Sequence, residues 1–106
     1  MTTERDVERA LVGMVKRSGG LCLKWVCPGW SGVPDRIILL PGGRVIFAET
    51  KRPKGGRIDP LQDWWRKQLK RLGFRHLYIT NRTEVDMLDQ MIQDPCIEAA
   101  SEVSLP

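Results

Sequence analysis

The chain has 106 residues, 42% of them hydrophobic and 28% charged, with a net charge of +4, which suits one domain with a single modest core. No apolar run approaches the roughly 18–20 residues that span a bilayer, and the opening Met-Thr-Thr-Glu-Arg-Asp lacks the basic start and apolar stretch of a secretory signal. A cytoplasmic protein without membrane contact is expected, and the odd set Cys22, Cys27 and Cys96 with His76 as the only histidine argues against a zinc site or a disulfide framework.

Thr3 is placed to cap a first helix, with Glu4 and Asp6 in the first turn, where the helix dipole favours acids. Val7, Ala10, Leu11, Met14 and Val15 follow the spacing of one buried face, and Gly19-Gly20 ends the helix. Glu4 and Glu8 lie one turn apart on the border of that stripe, able to lean over the edge of the core. Leu21–Val26 alternates like a strand, with Leu23 and Trp25 on one side and Lys24 between them. A loop rich in Pro and Gly, residues 28–34, leads to Asp35 and a second strand, Arg36–Leu40. Pro41-Gly42-Gly43-Arg44 reads as a turn and Val45–Lys51 as the return strand of a hairpin.

Beyond a basic loop, Arg52–Asp59, the pair Asp59-Pro60 opens a second helix, with Leu61, Trp64, Trp65, Leu69 and Leu72 as its expected buried face. On that reading Trp64 and Trp65 belong to the core rather than to a base-stacking surface. Phe74–Thr80 is a fourth strand, carrying His76 as a hydrogen-bonded ring with no catalytic part. Thr83 is placed to cap a last helix that buries Val85, Leu88 and Ile92. The order α-β-β-β-α-β-α predicts an α/β fold around one mixed sheet. Residues 1–94 make the domain and 95–106 an acidic, loose tail.

Charge is unevenly spread. Residues 51–82 hold ten Lys or Arg against Asp59 and Asp63, while residues 83–106 hold six acids and no Lys or Arg. A concentrated basic segment suits a polyanionic partner such as nucleic acid, although many charge runs are only solvated faces. Arg52, Lys54, Arg57 and Arg66 are its candidate DNA contacts, joined by Arg36 and by Lys24, which precedes the Asp35 loop. Trp30, in a Gly-flanked loop beside Asp35, is a further DNA-contact candidate.

Period-two alternation puts Val45, Phe47, Glu49 and Lys51 on one face of their strand, and a tight turn at 41–44 sets Asp35 opposite residue 49 or 50. Two carboxylates and an ammonium then meet at one sheet edge. Carboxylate oxygens suit a hard divalent cation such as Mg²⁺, and a neighbouring Lys can stabilise charge on a phosphate. Spacing alone leaves open a solvent-facing ladder of Glu49 and Lys51. Val45 and Phe47 on the same face weaken that alternative, because they suggest a helix covers it.

The string Val33-Pro34-Asp35 … Glu49-Thr50-Lys51, following a helix that bears Glu8, resembles the Pro-Asp … (Asp/Glu)-x-Lys nuclease superfamily. It is similar in particular to the virus-type replication-repair nuclease (VRR-NUC) domain in its small stand-alone phage and bacterial form. The likeness extends through Gly19-Gly20, Lys24, residues 28–36, Pro41–Arg44, Glu49–Pro53 and Gln62, in unbroken order over residues 4–92. It implies a restriction-endonuclease-like core and a divalent-metal-dependent DNA endonuclease of a bacterial or phage-infected cell. It also implies Mg²⁺ or Mn²⁺ held by Asp35, Glu49 and the Thr50 carbonyl, with Lys51 catalytic. Glu8 matches the helical acid that reaches the metal through water, and Gln62 the glutamine near the site. Thr50 stands where an aliphatic residue is usual. No nucleotide cofactor is implied. Small members of this family pair, so a homodimer acting on branched DNA, a four-way junction first, is the expected form, with the Trp30 loop and first helix as candidate contacts. The rival readings on the same fold are a non-catalytic DNA-binding module and a phage accessory interaction protein.

Overall fold

The computed structural model describes residues 2–51 and 57–93. Helix α1 spans Glu4–Arg17, strands β1, β2 and β3 span Leu21–Lys24, Arg36–Leu40 and Arg44–Thr50, and helix α2 spans Pro60–Arg71. Strand β4 (Arg75–Ile79) and helix α3 (Arg82–Gln93) follow, so the expected order α-β-β-β-α-β-α is the observed one. The sheet runs β1-β2-β3-β4, antiparallel at its first two seams and parallel between β3 and β4. A parallel neighbour needs a crossover, and α2 supplies it.

The main core lies between the sheet and the pair α1 and α3. Val7, Leu11, Met14 and Val15 of α1 meet Ile38, Leu40, Ile46, Ala48 and Ile79 of the sheet and Val85, Leu88 and Ile92 of α3. Each such aliphatic side chain contributes roughly 1.5–3 kcal/mol when fully buried. Thr3 caps α1 in a reciprocal box with Asp6, its hydroxyl accepting from the Asp6 amide at 3.2 Å. The chain turns from α1 into β1 by a close backbone approach: a Cβ at Gly20 would sit 2.5 Å from the Leu39 carbonyl oxygen. Only glycine fits there. The last helix differs from expectation at its start. It begins at Arg82, and Asn81 rather than Thr83 accepts the Glu84 amide, at 2.8 Å, while the Glu84 carboxylate accepts from Thr80.

The other face of the sheet carries a thinner, aromatic layer under α2. Trp25 lies 5.3 Å from Phe47 and 5.6 Å from Trp65, and Phe47 lies 5.4 Å from Phe74, measured between ring centroids. Of the five apolar α2 residues expected to be buried, only Leu69 is fully so and Trp65 is half-buried, whereas Leu61, Trp64 and Leu72 are exposed. The apolar stripe on α2 is wider than the line along which one helix touches a sheet. Trp65 and Leu69, four residues apart, occupy that line, and the flanking positions project past it. His76 also differs from its expected state. It is buried against Tyr78 with no hydrogen-bond partner on either ring nitrogen, and burial, with Arg66 and Lys70 nearby, lowers its pKa to about 4.

Candidate functional site

The hairpin register pairs Arg36 with Ala48, so the ladder ends where Asp35 comes level with Glu49. Asp35 is held there from two sides. Its carbonyl accepts the Trp25 amide at 2.9 Å, and its carboxylate accepts the Thr50 hydroxyl at 3.4 Å. Glu49 projects to the α2 face and is only 2% exposed. One side chain on α2 gathers the rest. Gln62 donates through Nε2 to Glu49 Oε1 at 3.0 Å, and its Oε1 accepts from Lys51 Nζ at 2.6 Å.

The same Gln62 Oε1 accepts the Asp59 amide at 3.1 Å, completing the capping box at the start of α2. The cap that ends the basic loop thus also aligns the acid and the ammonium of β3. Gln62→Ala removes a cap contact and leaves Glu49 Oε1 without a donor, so it is expected to lower stability by about 2 kcal/mol, read as a shift in urea midpoint. An unchanged midpoint would show that the bridge contributes nothing to the fold.

Burial raises the Glu49 carboxyl to about 8, helped by the neighbouring Asp35 carboxylate, while Lys51 pulls the other way. Glu49 Oε2 is buried and has no hydrogen-bond partner. A buried carboxylate beside a second one, with an oxygen unmet by any donor, is costly unless a proton or a cation joins the pair. Two oxygen donors suit Mg²⁺ or Mn²⁺, which take few protein ligands, and among the described residues no three His, Cys, Asp or Glu assemble as a metal set.

Glu8, by contrast, is engaged elsewhere. It pairs with Arg36 Nη2 at 3.0 Å, and Arg36 Nη1 also donates to the Cys22 carbonyl at 3.2 Å. The Arg36 side chain is 13% exposed, so its guanidinium braces α1 against the sheet instead of facing solvent. The acid on α1 whose charge reaches Glu49 is Glu4, which adds to the upward shift. By sequence Glu4 lies one turn from Glu8 and is assigned no part in the site. The available signal was its position at the N-terminus of the helix.

Lys24 is exposed at the end of β1, paired in register with Arg36. Arg57 is exposed, and Arg66 is bound to Asp63 through Nε at 3.0 Å and Nη2 at 2.9 Å. Trp30 is largely exposed. Arg52 and Lys54 lie outside the described residues, as does the acidic tail.

No family model matches the chain. A protein of Acyrthosiphon pisum secondary endosymbiont phage 1, provisionally named nuclease p44, is 46% identical over 59 residues, which are 56% of this chain and 62% of that relative. The match thus spans less than two thirds of the relative's length. A solved structure described as a VRR_NUC domain superposes with a TM-score of 0.79 at 28% identity, covering 85% of this chain and 97% of that one. The chain is a VRR-NUC-type domain. Among the described residues, three helices lie around a mixed four-stranded sheet, and Asp35, Glu49 and Lys51 sit at the open end of the β2–β3 hairpin with Gln62 above them.

Proposed function

We propose that this VRR-NUC-type domain is a divalent-metal-dependent endonuclease that hydrolyses phosphodiester bonds in DNA. The observation that carries the reading is the Glu49 carboxylate, buried beside Asp35 with an oxygen lacking a donor, next to an ammonium that Gln62 holds in place. A solvent-facing salt-bridge ladder would leave Glu49 exposed, and it is not. The phage relative's provisional name and the description of the structural neighbour support the same reading.

In this proposal Asp35, Glu49 and the Thr50 carbonyl hold Mg²⁺ or Mn²⁺. The bound ion would polarise a phosphoryl oxygen and acidify a coordinated water. Lys51 faces the phosphate and stabilises the negative charge that develops there, with Gln62 fixing its ammonium. Glu4 takes the water-mediated place on α1, since its charge is felt at Glu49 while Glu8 is held by Arg36. Lys24, Arg57 and the basic surface of α2 grip phosphates without reading bases, which favours recognition of DNA shape.

Branched DNA, a four-way junction first, is the proposed substrate, and a two-fold pair of chains would supply one site for each of two strands. Edge strand β1, where Leu21 and Leu23 are exposed, with Val26 exposed just beyond it, offers a surface for that pairing. The test is cleavage of labelled duplex, flap and junction DNA with Mg²⁺, Mn²⁺ or chelator, alongside light scattering. Cleavage of the branched forms that stops with EDTA is expected. Full activity in EDTA would end the metal-dependent reading, and equal cutting of plain duplex would end the branched one.

A further inference from the structure

Trp64, which the sequence assigns to the core, stands instead at the surface beside Trp30. Trp30, in the loop between β1 and β2, and Trp64, on α2, have ring planes 15° apart and centroids 6.4 Å apart. They are 59% and 44% exposed. With Pro60, Leu61 and Trp65 they border an open, mostly apolar cavity of about 370 Å³. Their centroid separation is a little under two stacking spacings of roughly 3.4 Å, so a small opening of the pair makes the room a planar base needs with a ring on each side.

The pair is set before any ligand arrives. Trp65 stands edge-on to both rings, 5.6 Å from Trp30 and 5.3 Å from Trp64, and its Nε1 donates to the Ser31 carbonyl at 2.9 Å. Gly32 lets the loop lie on the first turn of α2: at φ +79° it has no Cβ, and one there would come within 2.6 Å of Leu61 Cβ. That turn also carries Gln62, and the loop runs directly into Asp35. The slot and the carboxylate pair are therefore fixed to one another through the same two segments. Among the described residues no acid borders the cavity.

We propose that Trp30 and Trp64 form a stacking slot for an unpaired nucleobase of the DNA substrate. A base inside a duplex has both faces covered by its neighbours, so only an unpaired nucleotide can enter. Every base has a π-face, so the slot discriminates structure and not sequence. The domain thus prefers DNA with an unpaired nucleotide near the scissile bond over continuous duplex. The proposal rests on the nuclease reading. A second copy of the chain fits the feature less well, because a stable subunit contact buries about 800 Å² per partner and this slot is two rings wide.

The experiment measures anisotropy of fluorescein-labelled hairpin DNA in EDTA, where cleavage does not interfere. Three ends are compared: blunt, with an unpaired overhang, and with the same overhang made abasic. Wild-type protein is expected to bind the overhang roughly tenfold tighter than its abasic form. Trp30→Ala and Trp64→Ala should each bring that ratio close to one, and Trp64→Phe should keep part of it. Melting curves confirm that the variants fold. A base-to-abasic ratio that survives in both alanine variants overturns the slot, as does a fall in solution mass from dimer to monomer in either one. Wild-type protein that binds no DNA overturns the nuclease reading and the slot together.

Discussion

Glu49→Gln is expected to abolish cleavage while making the metal-free protein more stable above neutral pH. The loss follows from the site: glutamine keeps the shape but removes the charge that would hold the ion, which supplies several kcal/mol of transition-state stabilisation. That is on the order of a thousandfold or more in rate. The gain in stability follows from the carboxyl, which ordinarily titrates at 4.5 and is raised to about 8 when folded. Folding therefore takes up a proton between those values. The stability tied to protonated Glu49 is fully present below pH 4.5 and is lost as the pH rises through 8, by a few kcal/mol at most. Urea midpoints in EDTA at pH 5 and pH 8.5 should fall for the wild type and stay level for Glu49→Gln. Parallel pH trends in the two proteins would show that Glu49 does not carry the effect. Asp35→Asn should likewise stop cleavage, and it removes one of the two groups that raise Glu49.

Lys51→Ala is expected to separate binding of the ion from turnover. Lys51 Nζ donates to Gln62, and its charge is what pulls the Glu49 carboxyl downward. Without it the two carboxylates remain, so Mn²⁺ should still bind in calorimetry, but at a given pH more weakly, because Glu49 holds its proton more firmly. Turnover should drop by about 10²–10³, the scale of losing one group that stabilises developing charge. Single-turnover cleavage at saturating metal checks this. Wild-type rates there would return Lys51 to a structural partner of Gln62.

The site was legible in unequal parts. The alternation that placed Glu49 and Lys51 on one face survives in the structure, because a strand inside a sheet has no freedom to rotate single residues. The turn at residues 41–44 likewise set the register that brings Asp35 to Glu49. Which partner each acid on α1 takes was not legible. Glu4 and Glu8 lie on the same stripe, and only the packing of α1 over β2 decides that Arg36 takes Glu8.

Local chemistry in the sequence was enough for the element order, the Thr3 and Asp59 caps, the hairpin and the face shared by Glu49 and Lys51. Those depend on near neighbours and on the two periodicities of the backbone. Tertiary structure alone decided the rest. Helical spacing marks Leu61, Trp64 and Leu72 as apolar but cannot say how much sheet lies beneath them. The helix meets the sheet along Trp65 and Leu69, so Trp64 is left beside Trp30 at the surface. Gln62 could be read as a cap, yet its reach to Glu49 and Lys51 depends on where α2 crosses the sheet. Periodicity reports which way a side chain points. What it meets there is set by elements distant in the chain.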